Sequence, residues 1–274
     1  MTAAPCVLLM VVFGTSALAE SSGNDDAPSY TASSIVNSTT NQPGPFAPNT
    51  IVTIYGSRLA NGEQAATEET IQEYRLPLRL ARVQVLDRRG GLGVPLPLHY
   101  VGPEQINFLL PDSLDPGDVY VSVSREGRAG PVVRITVQEA APALFPYDGG
   151  TVIATHLDGS LITPASSARP GEVVVLYCTG LGRTAQRLHD GELPDVPRVP
   201  LAGLMLKDLN ALKVLLNGEP VHHARILYAG LTPGIAALYQ INLLLPDDAP
   251  ADPEVRLTIG KNLSMEGLKL PLQP

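Results

Sequence analysis

Short runs in which apolar and polar residues alternate recur along this chain, each closed by glycine, proline or asparagine. The clearest is Gln105-Ile106-Asn107-Phe108-Leu109-Leu110-Pro111, with apolar side chains at 106, 108 and 110 and amides at 105 and 107. A period of two is that of a strand with one face buried. The proline then ends the ladder, because it has no N–H to donate. The run returns as Gln240-Ile241-Asn242-Leu243-Leu244-Leu245-Pro246, with only Phe108 changed, to Leu243. Such near-identity within one chain points to an internal duplication.

Other elements fall into the same order around each copy. Pro48-Asn49-Thr50 feeds a strand ending Ile54-Tyr55-Gly56, and Pro170-Gly171-Glu172 feeds one ending Tyr177-Cys178-Thr179-Gly180. Ser34–Asn37 predicts a short edge strand, and Gln42-Pro43-Gly44-Pro45 a turn. Leu80–Leu86 alternates as a strand leading to a hairpin tip at Asp87–Gly91, where glycines can take positive φ. Leu96–Val101 returns, Val119–Ser124 and Val132–Val137 close the first copy, and residues 61–75 predict a solvated loop or one short helix. In the second copy, hairpins are predicted around His156–Gly159 and across Asn217-Gly218, between Leu212–Leu216 and Val221–Tyr228. Val255–Ile259 and Leu268–Leu270 finish it. About seven short strands per copy, punctuated by turn residues, predict an all-β chain of two tandem immunoglobulin-like antiparallel sandwiches.

The expected divisions are a signal peptide at 1–19, a flexible leader at 20–32, a first sandwich at 33–139, a semi-rigid linker at 140–150 and a second sandwich at 151–274. Leu144 and Phe145 make Ala140–Pro146 too apolar for a floppy connection, so they are expected to pack at the junction. Arg183–Asp208, the longest insertion, reads as an extended surface loop.

Composition narrows the function classes. A formal charge of −8, with 19 scattered basic residues, lacks the clustered cations that a phosphate backbone requires. No tryptophan and 5% aromatic residues argue against an aromatic ligand platform. Val7–Phe13 is an apolar core too short for a comfortable membrane span, followed by Ala17-Leu18-Ala19, the pattern of a secretory signal cleaved near Ala19. Cleavage leaves Cys178 as the only cysteine, which excludes an internal disulfide. Its mid-strand position reads as a buried small residue.

Candidate chemistry is sparse. His189, Asp190, Glu192 and Asp195 form the densest acid/base cluster, in no recognised metal-ligand spacing. His222 and His223 are adjacent on a predicted strand, so they would point to opposite faces. Asp158-Gly159-Ser160 reads as turn chemistry, without the Gly-x-Ser-x-Gly setting of a hydrolase nucleophile. Neither a phosphate loop nor a paired-carboxylate arrangement is evident, and no catalytic residue, cofactor or metal is assigned. Gln105 and Asn107, like Gln240 and Asn242, are placed to hydrogen-bond a neighbouring loop backbone and hold the register. Recurrence in both copies favours that role over a ligand ladder. The structural landmarks of the repeat are Tyr55, Gly56, Gln105, Asn107 and Pro111, then Tyr177, Gly180, Gln240, Asn242 and Pro246.

The motifs "PNTIVTIYGSRLA", "LHYVGPEQINFLLP", "APALF", "LDGS", "PGEVVVLYCTGLG" and "YAGLTPGIAALYQINLLLP" together resemble the landmarks of the Solibacter-type C-terminal domain of acidobacterial secreted and surface proteins. Each half is also similar to the immunoglobulin-like IPT/TIG fold. The resemblance covers roughly residues 33–274 and implies no established activity. Cys178 departs from the small residue expected there, and Asn49 stands where the second copy has Gly171, a position Asn tolerates in the same turn. The expectation is a non-catalytic secreted or cell-surface protein, acting in interaction, adhesion or presentation with an unknown protein or glycan at the envelope. The alternative is a carbohydrate-binding accessory module using exposed rings such as Tyr74 or Tyr147.

Overall fold

A computed structural model describes residues 26–67, 83–87, 93–189, 191–194 and 199–273. In the first copy β1 (Ile35–Asn37), β2 (Thr50–Tyr55), β3 (Val83–Asp87), β4 (Leu98–Val101), β5 (Gln105–Leu110), β6 (Gly117–Arg125) and β7 (Val133–Val137) form two antiparallel sheets. One runs β1-β2-β5-β4 and the other β7-β6-β3. Val52, Ile54, Ile106, Phe108 and Leu98 of one sheet meet Val85, Val119, Val121, Val123 and Ile135 of the other in a single core. The alternation read from the sequence is therefore the inward face.

The second copy comprises β8 (Ala143–Leu144), β9 (Ala154–His156), β10 (Val173–Thr179), β11 (Leu212–Leu216), β12 (Ile226–Leu231), β13 (Tyr239–Leu244), β14 (Val255–Ile259) and β15 (Asn262–Leu263). One sheet holds β8-β10-β13-β12 with β9 also on β10, and the other holds β11-β14-β15. The chain is two tandem immunoglobulin-like antiparallel β-sandwiches, each with its own core.

The copies share register residue for residue. Tyr55 faces Gln105 and Val52 faces Phe108, as Tyr177 faces Gln240 and Val174 faces Leu243. A bulge skips one residue between Leu98 and Tyr100 on β4, and one between Ile226 and Tyr228 on β12. Even the irregular parts recur: Gln138 donates its N–H to the Phe46 carbonyl (2.8 Å), and Gln273 donates to that of Ala168 (3.0 Å). Equal register means that the same side chains face inward in both copies, since a slip of one residue would exchange the faces.

Several expectations are corrected. Within the leader predicted at 20–32, Ser29 bridges Ser57 and Tyr30 is buried in the first core, while Asp26, Thr31 and Ala32 are exposed. Tyr30 Oη donates to the Pro131 carbonyl (2.5 Å) and accepts the Val123 N–H (2.7 Å). The linker predicted at 140–150 contributes β8, which pairs Ala143 with Thr179 and buries Leu144 in the second core, while Phe145 is only half-buried. The Ser29–Ser57 bridge and the Ala143–Thr179 pair are thus the equivalent opening contacts in the two copies. Amphipathic patterning cannot reveal strands only two residues long.

The predicted strand Val221–Tyr228 is interrupted by a 3₁₀ turn at His223–Arg225, capped by the N–H of Ala224 donating to His222 Nδ1 (3.3 Å). Leu268–Leu270 makes isolated bridges through Lys269 instead of a strand. Arg183–Asp208 is not a simple surface loop, because Leu188, Val199, Leu204 and Leu206 enter the second core. The predicted tip beyond Asp87 and residues 68–75 lie outside the described residues, and Gln64–Ala65 is a short exposed strand beside β4.

Candidate interaction site at the junction of the copies

The two sandwiches meet through named contacts. Arg183, at the start of the second-copy insertion, donates to the carbonyls of Asp112 (3.3 Å) and Leu114 (3.1 Å) and pairs with Asp115 at 2.6 Å. Leu109 of the first copy packs with Leu193 and Ala237 of the second, flanked by Ile51 and Ala66. Asn262 Nδ2 donates to the Ala140 carbonyl (2.7 Å) and ties β15 to the chain between the copies. Gly180 and Gly182, both at positive φ, lie so close to this segment that a Cβ would collide with the carbonyl oxygens of Ala141 and Glu139. Tyr239 is fully buried and donates to the Gly182 carbonyl, and burial pushes its hydroxyl far above the ordinary tyrosine range.

Beside this joint opens a cleft of about 270 Å3. The 37–45 turn supplies Asn37, Thr40 and Gln42, the connecting segment supplies Gln138 and Pro142, and the β15 hairpin supplies Lys261, Asn262, Leu263 and Met265. Carboxamides dominate its polar lining, Lys261 is its one charged side chain, and no aromatic residue lines it. Leu263 and Met265 remain 47% and 42% exposed at its edge. These residues come from segments more than 200 positions apart, so no local pattern in the sequence announces them.

The repeat landmarks lie elsewhere. Gln105 Nε2 donates to Asn107 Oδ1 at 3.0 Å, and Gln240 Nε2 donates to Asn242 Oδ1 at the same distance. Each pair thus joins its two members on the outer face of its sheet, where a bond to a neighbouring loop backbone was expected. Thr53 adds a second donor to Asn107 (3.0 Å), whereas its counterpart Val175 has none to give. Tyr55 and Tyr177 sit half-buried opposite the two glutamines. Gly56 is a position of close approach, because a Cβ there would meet the Ser29 carbonyl at 2.3 Å.

Of the predicted acid/base cluster, the two described members, His189 and Glu192, bond each other. The N–H of His189 donates to Glu192 Oε2 and the N–H of Glu192 donates to the His189 carbonyl, both at 2.8 Å, which closes an ordinary turn. Asp190 and Asp195 lie outside the described residues. His223 Nε2 lies 3.3 Å from the Leu209 carbonyl, while His222 caps its own turn. Asp158 accepts from the N–H (2.9 Å) and hydroxyl (2.6 Å) of Ser160, the turn chemistry expected there. Cys178 is fully buried in the second core, and burial pushes its thiol far up. Among the described residues, no group of three or more His, Cys, Asp or Glu is placed to hold a metal.

One constellation was not foreseen. His156 Nδ1 contacts Glu172 Oε1, and its Nε2 lies 3.3 Å from both the hydroxyl and the carbonyl oxygen of Ser166. Serine, histidine and carboxylate in that order are the parts of an acyl-transfer triad. The geometry opposes that use. His156 Nε2 is shared between the hydroxyl and the carbonyl oxygen of Ser166, both at a long 3.3 Å, and is not directed at the hydroxyl alone. The Ser166 N–H is turned to Thr163 (2.9 Å to its carbonyl), away from any oxyanion. Glu172 Oε2 also accepts the Arg169 N–H (2.9 Å), so the group clamps the turn ahead of β10.

No family model matches the chain, and no curated protein resembles it in sequence. Its fold is similar to that of SGBP-B from the Bacteroides ovatus mixed-linkage glucan utilization locus, solved with a mixed-linkage heptasaccharide. There the identity is 11%, the match covers 91% of this chain and 47% of that one, and the TM-score is 0.33. SGBP-B from a Bacteroides uniformis xyloglucan utilization locus matches at 10% identity over 89% of this chain and 49% of that one, with TM-score 0.26. The Escherichia coli adhesin FdeC matches at 14% identity over 91% and 66%, with TM-score 0.22. This chain spans about half the length of each SGBP-B. Among the described residues, no helix is long and apolar enough to cross a membrane.

Proposed function

We propose that this chain is a non-catalytic, secreted or cell-surface interaction module, released by cleavage near Ala19, that engages its partner at the junction of its two sandwiches. The observation that carries the reading is the carboxamide-lined cleft between copies whose relative placement is held by Arg183 and the Leu109–Leu193–Ala237 cluster. Carboxamides both donate and accept, which suits recognition, and they are poor nucleophiles and poor bases. The reading also takes the chain as a member of the Solibacter-type C-terminal family, on the motifs it resembles. A carbohydrate-stacking role is less well supported, since the cleft has no ring, the exposed Tyr120 and Tyr147 do not line it, and Tyr74 lies outside the described residues.

The test is capture of envelope components from the producing cell by immobilised residues 20–274. Specific retention, reduced when Asn262→Ala and Met265→Glu alter the cleft, is the expected outcome. Hydrolytic turnover that disappears in His156→Gln would overturn the non-catalytic assignment.

A further inference from the structure

We propose that the cleft takes an extended acidic peptide, laid beside β15 with a carboxylate on Lys261. The inference rests on the interaction-module reading and names the chemistry of its ligand. Four features of the cleft select this class.

Among the described residues β15 is the outer strand of its sheet, paired with β14 alone, and an outer strand offers backbone groups to an added extended chain. Leu263 and Met265 both line the cleft and are exposed, ready to take an apolar side chain of the peptide. Met adapts its shape to varied partners, so tolerance at that peptide position is expected.

The polar lining fits a peptide backbone. Asn262 spends its amide N–H on Ala140, which leaves its Oδ1 as an acceptor for a backbone N–H. Asn37 uses Oδ1 to accept the Thr39 N–H (2.9 Å), so it is fixed in position at the floor of the cleft. The Gln138 backbone is pinned to Phe46, which holds that wall in place.

Charge then selects the sequence. The protein as a whole carries a formal charge of −8, yet the cleft lining contains one lysine and no carboxylate. An Asp or Glu side chain, or a terminal carboxylate, supplies the complement. A size of about 270 Å3 suits a short stretch of chain and is too small for a folded ligand. Without an aromatic residue in the lining, a pyranose ring has no face to stack on.

The experiment uses the full mature chain and immobilised octapeptides in which Asp or Glu is scanned through extended Val/Thr/Leu sequences. Matched peptides carry Asn or Gln, and neutral and uronic oligosaccharides serve as controls. Acidic peptides should bind at least tenfold more tightly than their amide counterparts. Lys261→Glu should abolish that preference without changing thermal stability, and peptides with Lys at the selected position should regain binding to Lys261→Glu. Equal binding of acidic and amide peptides, indifference to Lys261→Glu, or binding of oligosaccharides alone would each overturn the proposal. Envelope capture that persists in Lys261→Glu would sink the peptide site and leave the interaction module standing. Absence of capture by the wild type would remove the module reading itself.

Discussion

Asn49 and Gly171 occupy the same left-handed backbone position in the two copies, with φ of 58° and 72°. Each sits at the turn that launches the strand paired with the Gln-Ile-Asn run. Asn49 adds a buried bond from Nδ2 to Asp112 Oδ1 at 3.1 Å. A Cβ on Gly171 would approach Asp247 Oδ1 to 3.0 Å. Gly171→Ala is therefore expected to destabilise by about 1–2 kcal/mol, the cost of a left-handed L-residue. Asn49→Gly keeps the backbone relaxed and should lose about 0.5–1.5 kcal/mol with the bond. Chemical denaturation of both variants checks the order. A greater loss in Asn49→Gly would show that the side-chain bond outweighs the backbone term.

Phe108 and Leu243 are the one point of difference between the repeated runs, and both are fully buried. Phe108→Ala should cost about 3–5 kcal/mol and Leu243→Ala about 2–5 kcal/mol, each by opening a cavity. Thermal unfolding is the readout, and variants as stable as the wild type would disprove the inward face.

The His156–Glu172 contact gives stability a pH dependence of definite sign. The folded imidazole is held above its ordinary value of about 6.5, mainly by the Glu172 hydrogen bond, with Ser166 and Asp158 acting in the same direction against some desolvation. A group with a raised folded pKa contributes fully below its unfolded pKa and loses that contribution as pH rises through the folded value. Melting temperature should therefore fall as pH rises above the ordinary histidine value of about 6.5, more steeply in the wild type than in His156→Gln. Parallel pH profiles would refute the clamp.

Cys178 should resist thiol reagents in the native state and react promptly once the chain is denatured, because the thiolate is disfavoured in the core. Rapid native labelling would mean that the second core opens readily.

The strand order and the inward faces were legible because alternation acts locally: Ile106, Phe108 and Leu110 announce their own burial. The opening contacts at Ser29 and at Ala143–Leu144 were not, because one or two residues set no period and their pairing is made by distant partners, Ser57 and Thr179. The insertion carrying Leu188, Val199 and Leu204 looked solvated because its prolines and charges hide a sparse apolar set that only tertiary packing collects. The Gln–Asn pairs stand out in the sequence as repeated features, yet their two members meet each other and not a loop backbone. The cleft was invisible in the sequence, since Gln42, Gln138 and Asn262 belong to three separate segments.

The turn after each Gln-Ile-Asn strand meets a different arginine. The turn following Pro111 receives Arg183 from the next copy, whereas the one following Pro246 is held from within, by Arg225 bonding the Leu245 carbonyl (2.7 Å) and Asp247 (2.9 Å). Position 97 of the first copy, which aligns with Arg225, is a proline and cannot supply that bond. The two turns are thus anchored differently: the first depends on the neighbouring sandwich for its guanidinium, whereas the second carries its own.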